Sequence, residues 1–243
     1  MAPWALLVTR CCWREPSHPR LSPCGLLIAS EEALESPLFW NASFDGRSAH
    51  VGIFSQLPLF PAVKLAVAIT YCVLTGGWPR FGNESPAIIL VAMAVSTPFQ
   101  AGEEVGWRGY ALPRMAGRLG FGLASVVLGA VWGLWHLPLF FVPGEDYGQP
   151  FFVFTMGTTA LSVAIAWLYV NTKESLLLTM LMHSAVNQTV GIVPDTLAQP
   201  GNPFSLRAPI PFYLTVGFLW IAAAYFLVRF SRIPTVGLQK PVA

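Results

Sequence analysis

The sequence predicts an all-α fold, a polytopic transmembrane helix bundle of about six spans with both termini cytoplasmic. Composition points there first: 54% of residues are hydrophobic and only 11% charged, against about 25% charged in ordinary soluble domains. The mean hydropathy of +0.57 agrees. Finally, the 21 glycines and 21 prolines punctuate long runs of Leu, Val, Ala, Phe and Trp without replacing them, which excludes collagen and low-complexity disorder. Fourteen Lys and Arg against twelve Asp and Glu leave a formal charge of +2. That balance supplies no basic field, so nucleic acid is not an expected partner; membrane lipid is.

A hydrocarbon core about 30 Å thick is crossed by roughly 20 apolar residues. Six segments approach that length, at about 52–76, 86–102, 119–142, 151–170, 175–193 and 210–230. Turn chemistry separates them at Gly76-Gly77-Trp78-Pro79, Pro143-Gly144, Asn171-Thr172 and the Pro/Gly/Asn cluster at 200–203. Together they define a transmembrane domain over 51–232. Residues 1–50, with Arg10, Arg14, Arg20 and Arg47 among scattered prolines, read as a cytoplasmic or peripheral arm that need not be ordered. Its apolar stretch Trp4–Val8 is shorter than the core of about 7–15 residues that a signal peptide needs. Residues 233–243 form a short cytoplasmic tail. Cys11, Cys12, Cys24 and Cys72 lie outside any C-x-x-C pair and show no metal-ligand spacing.

Orientation follows from the cations, because basic loops resist translocation. With the N-terminus inside, Arg10, Arg14, Arg20, Arg47, Arg114, Arg118, Lys173, Arg229, Arg232 and Lys240 are cytoplasmic, and only Arg80 and Arg207 are external. Lys64 and Arg108 fall at membrane depth. The loop 143–150 carries Glu145 and Asp146 without Lys or Arg, as an external loop allows.

Ionisable groups within spans cost a few kcal/mol each even on lenient insertion scales, so each demands a reason. The second span runs directly into Glu103-Glu104-Val105-Gly106-Trp107-Arg108. On a helix Glu104 and Arg108, four apart, share a face in the acid-before-base order that favours an ion pair. Glu103 sits about 100° round the helix from Glu104 and is free to point elsewhere. Trp132 and His136 in the third span repeat the four-residue spacing, and Pro138 loosens the helix just beyond. His183 and Asn187 repeat it in the fifth. Taken singly, each has a plain structural explanation: a solvated helix end, a packing histidine, an asparagine joining helices. Taken together, three spans each present one polar face, and a bundle that buries them brings those faces together.

The ordered set Glu103-Glu104-x-x-x-Arg108, Trp132-x-x-x-His136 and His183-x-x-x-Asn187 resembles the three signature motifs of the CPBP family. This group of intramembrane endopeptidases comprises CAAX proteases and bacteriocin-processing enzymes. The strings Glu103–Arg114 and Trp135–Phe141 look like its bacterial branch, which implies a multi-pass protein of the bacterial inner membrane. The likeness covers about residues 86–190. Two departures stand out: Trp132 occupies a position usually held by Phe, and members commonly carry further helices upstream of the span that here opens near Gly52.

The resemblance implies hydrolysis of a peptide or protein substrate. Glu103 and His136 would hold and deprotonate a water, while His183 and Asn187 would donate to the oxyanion that develops on the scissile carbonyl. Glu104, Arg108 and Trp132 would support them. No cofactor is needed on this reading. The metal alternative is a divalent ion such as zinc on Glu103, His136 and His183, an open ligand set of a known catalytic kind, although no H-E-x-x-H helix is present. Two other classes of function compete. One is a non-catalytic CPBP-fold membrane protein acting in bacteriocin immunity or scaffolding. The other is a proton-relaying transporter, disfavoured because no repeated halves are visible.

Overall fold

A computed structural model describes residues 59–142, 149–189, 192–193 and 202–231. The expected arm 1–50, the tail 233–243, three of the cysteines (Cys11, Cys12 and Cys24) and the acidic pair Glu145 and Asp146 lie outside the described residues. Within them all regular structure is helical, and no strand occurs.

The first helix, α1, spans Leu59–Thr75. Helix α2, Pro86–Ser96, opens with Pro at its first position, where a missing N–H costs nothing, and Ser85 Oγ accepts from the Ile88 N–H at 3.3 Å. The chain does not turn away when α2 ends. A 3-10 turn, Thr97–Gln100, leads to one α-turn, Ala101–Glu104, then to a π-helix, Val105–Ala111, and into α3, Leu112–Trp135. A second 3-10 turn, Leu137–Phe141, closes the run.

The sequence reading ended one span at Gly102 and opened the next at Leu119, whereas helix is continuous through 103–118. Pro98 of the preceding 3-10 segment and Pro113 of α3 both stand in first turns, where they interrupt nothing. The break falls instead inside α3, at Gly120 with φ 71° and ψ 158°. That region of backbone space is essentially open to glycine alone.

Helices α4 (Phe151–Asn171), α5 (Leu176–Thr189) and α6 (Ile210–Phe230) complete the bundle. By length and composition three helical runs suffice to cross a membrane, Pro86–Phe141, Phe151–Asn171 and Ile210–Phe230, with Leu59–Thr75 a shorter apolar helix. The chain is an integral membrane protein. Helix α4 is central, packed mainly against α3 and then α6; α6 also leans on α1, and α5 lies on α2 and the turn that follows it. Ala160, Val163, Ile165 and Ala166 are wholly buried. By contrast α2 has no buried residue, and Ile88, Leu90, Val91 and Val95 face outward, as apolar side chains in lipid can.

Three threonines of α4 are satisfied within the helix, whereas the buried Ser162 hydroxyl has no hydrogen-bond partner among the described residues. The hydroxyls of Thr155, Thr158 and Thr159 donate to the carbonyls of Phe151, Phe154 and Thr155 at 2.9, 2.9 and 2.7 Å. Lys64 of α1 is also buried, with Nζ donating to the Val193 carbonyl at 3.4 Å and lying 5.5 Å from the Phe60 ring centroid. The α4–α5 connection is tight: Lys173 and Glu174 adopt left-handed φ of 52° and 65°, and the Glu174 N–H closes on the Tyr169 carbonyl at 2.8 Å.

The α3–α4 contact depends on missing side chains. A Cβ on Gly129 would stand 2.7 Å from both Ser162 Cβ and Thr159 Cα, and one on Gly133 would stand 2.7 Å from Thr155 Cγ2 and 3.0 Å from Thr155 Cα. Small residues let membrane helices approach this closely. Gly129→Ala and Gly133→Ala should therefore each destabilise by about 1–3 kcal/mol through overpacking. Gly117→Ala, whose Cβ would meet nothing within 4 Å, should be neutral or stabilising by up to about 1 kcal/mol. Thermal unfolding of the three variants in detergent micelles separates these outcomes.

Candidate active site

The two adjacent glutamates end the single α-turn, at the point where the helix widens into its π-segment. Such π-segments recur at functional sites because they re-aim side chains. Arg108, in that segment, returns its Nη1 to Glu104 Oε1 at 2.7 Å, and neither side chain has exposed surface. The same oxygen receives Nδ1 of His183 from α5 at 2.8 Å. A carboxylate paired with a guanidinium only accepts, so His183 Nδ1 carries the proton of this bond. Gly109 lets α5 come near, since a Cβ there would sit 3.2 Å from Leu176 Cδ1.

Glu104 Oε2 and the Nε and Nη2 of Arg108 have no hydrogen-bond partner among the described residues. The guanidinium carbon instead lies 4.6 Å from the centroid of the Trp132 ring, a cation–π contact that offsets part of its desolvation.

Glu103 points elsewhere, as its rotation around the helix allows. Its Oε2 accepts the Trp132 indole N–H at 2.7 Å. Trp132 comes from α3, one turn before His136. At this helix end the His136 N–H bonds the Gly133 carbonyl at 3.2 Å, a 3-10 contact. The tightening leaves the Trp132 carbonyl to the His136 ring, whose Nδ1 lies 2.8 Å away. A carbonyl only accepts, so Nδ1 is the donor of this bond. Edge-on aromatics surround the imidazole, with Trp135 at 5.0 Å, Phe154 at 5.3 Å and Trp132 at 5.9 Å between ring centroids. The same indole meets His183 edge-on at 5.1 Å.

Trp132 thus gathers Glu103, His136, His183 and Arg108 around one side chain. Asn187 does not join them: it is exposed on α5, one turn beyond the buried His183, and makes no side-chain hydrogen bond among the described residues. Glu103, His136 and His183 are not assembled as a ligand group either, since no three His, Cys, Asp or Glu side chains among the described residues are placed to hold a metal ion.

A polar clasp that sequence reasoning missed pins this region from behind. Ser96 and Ser184 share a hydrogen bond, Gln188 donates to Ser96 at 3.3 Å, and the Met93 carbonyl accepts from Thr97 at 2.6 Å and Ser184 at 2.8 Å. Its members lie far apart in sequence and single serines in apolar helices are common, so no spacing announces the clasp. The link from Glu104 to His183 was equally invisible.

Residues 83–189 match the family model described as type II CAAX prenyl endopeptidase Rce1-like. Over 171 residues the chain is 26% identical to the protein named CAAX prenyl protease 2 of Methanococcus maripaludis, an alignment covering 65% of this chain. The chain spans about 60% of the length of that curated relative. The three motifs, in order and with residues gathered about Trp132, all fall within this matched segment, so that over residues 83–189 the chain is similar to Rce1-like CAAX prenyl endopeptidases.

Proposed function

We propose that the chain is an intramembrane endopeptidase that hydrolyses a peptide bond with a water activated by Glu103 and His136. One observation carries the reading: side chains from three separate helical segments, Glu103, His136 and His183, converge on the single buried indole of Trp132. The family match supports it. The excess of cations on the proposed inner side supports cytoplasmic termini.

Each group then has one task. With Oε2 occupied by the indole, Glu103 offers Oε1 to a water, and the His136 imidazole is the second group assigned to that water. One proton leaves the water for this pair as its oxygen bonds to the scissile carbonyl carbon. The oxyanion is received by His183 and by Asn187, which is exposed and so open to substrate. His183 already donates Nδ1–H to Glu104, so a second donor at Nε2 makes it an imidazolium, for which the Glu104 carboxylate is the counter-charge. Collapse breaks the C–N bond, and the proton held by Glu103 and His136 passes to the leaving amine. Arg108 shares Oε1 of Glu104 and holds the carboxylate in place.

The named relative makes a prenylated peptide ending in a CAAX sequence the first substrate to assay. Comparison of membrane proteomes containing wild type or Glu103→Ala extends the search to other peptides and proteins. Glu103→Gln and His136→Ala, in correctly inserted protein, should each lower kcat/KM by about 10²-fold or more. Activity retained in either would remove the proposed roles, and a biological phenotype surviving both would support the non-catalytic alternative.

The buried pair makes a separate prediction about stability. Removing one partner leaves the other charge uncompensated, at about 3–5 kcal/mol. Glu104→Gln or Arg108→Gln should each destabilise on that scale, whereas the double substitution should lose clearly less than the sum of the singles. Denaturant or thermal titrations in micelles, arranged as a double-mutant cycle, measure the difference.

A further inference from the structure

We propose that Trp132 is a positioning residue with two working ends, setting the mutual placement of Glu103 and His136. Its side chain and its backbone act on different partners. The indole N–H donates to Glu103 Oε2 at 2.7 Å, and the carbonyl accepts from His136 Nδ1 at 2.8 Å. Each bond holds one polar atom of its partner, so one rigid residue fixes where the Glu103 carboxylate and the His136 ring stand relative to each other.

Two structural facts make this more than a packing contact. Trp132 is only 3% exposed, and its indole N–H satisfies a donor that would otherwise be costly to bury. The carbonyl end is available because the last α-turn of α3 tightens at His136, whose N–H goes to Gly133. Gly133, held against Thr155, fixes the height of that turn. A phenylalanine could fill much of the same space and keep the carbonyl end, but it has no donor for Glu103. Without that bond the carboxylate can rotate, and either oxygen can turn from the water.

The kinetic consequence rests on the endopeptidase reading; the hydrogen bond does not, and the test keeps them apart. Protein carrying indole-15N tryptophan, in micelles, gives indole resonances from nine tryptophans. That of Trp132 is identified by its loss in Trp132→Phe or, should this variant misfold, by its loss in Trp132→Tyr. Glu103→Ala should move the Trp132 indole proton upfield and speed its exchange with solvent, leaving tryptophans remote from the site in place. No displacement would overturn the bond and with it the proposal.

In the cleavage assay, Trp132→Phe should lower kcat by about 10-fold to 100-fold, the scale of one hydrogen bond to a charged group, with KM changed by less than about 2-fold. A Trp132→Phe enzyme that folds and turns over at the wild-type rate would overturn the positioning role even if the bond is present. Failure of wild type to cleave any substrate would instead refute the endopeptidase reading, while the indole displacement still decides the bond.

Discussion

A carboxylate removed from water must be compensated by its neighbours, and Glu104 is the place where this bundle meets that demand. It lies wholly buried at the end of a helical turn within the longest apolar helical run among the described residues. One of its oxygens accepts from Arg108 four residues on and from His183 on another helix. The first contact is local and helps to hold the π-segment together. The second is tertiary: it ties α5 to that segment and decides which nitrogen of His183 is protonated. Loss of the carboxylate would leave a buried guanidinium facing a ring with no reason to keep its orientation.

The rest of the site is held by closeness of backbones more than by charge. Gly129 and Gly133 draw α3 onto α4, and the turn between them carries Trp132 into the centre of the cluster. There the indole separates two electrostatic roles, its ring beneath Arg108 and its N–H on Glu103. The serine and threonine clasp between α2 and α5 serves the same purpose from the opposite side, fixing where the chain enters the 3-10 turn before the glutamates. The two adjacent glutamates thus have different partners, Arg108 and His183 for Glu104 and the Trp132 indole for Glu103.

Much of this was legible from residue types and spacings. The apolar segments of α1, α4 and α6 are found where the turn residues placed them, and the Glu104–Arg108 pair follows from its four-residue spacing. The residue order reads Glu103–Arg108 on a helix continuing from the second span, but opens the next span only at Leu119. Glu104 and Arg108 are satisfied inside the protein while Arg114 and Arg118 are exposed, and helix continues to Gly120. Which glycine breaks a helix is not readable when many stand in apolar runs; only the backbone angles single out Gly120. Asn187 shows the limit of the spacing argument, since four residues on a helix still leave about 40° between side chains, and here one is buried while the other is exposed.

By itself the sequence determined that the chain is a membrane-embedded helical protein, and that a few polar residues at regular helical spacing must find partners away from lipid. Those are consequences of composition and of the 3.6-residue period, which any packing must obey. The tertiary structure decided the partners: His183 with Glu104, Trp132 with Glu103, and Asn187 with neither. The reason is that a hydrogen bond between helices depends on ångström-scale separation and rotation, set here by small residues, a π-segment and a tightened helix end. None of these leaves a periodic trace in the order of residues.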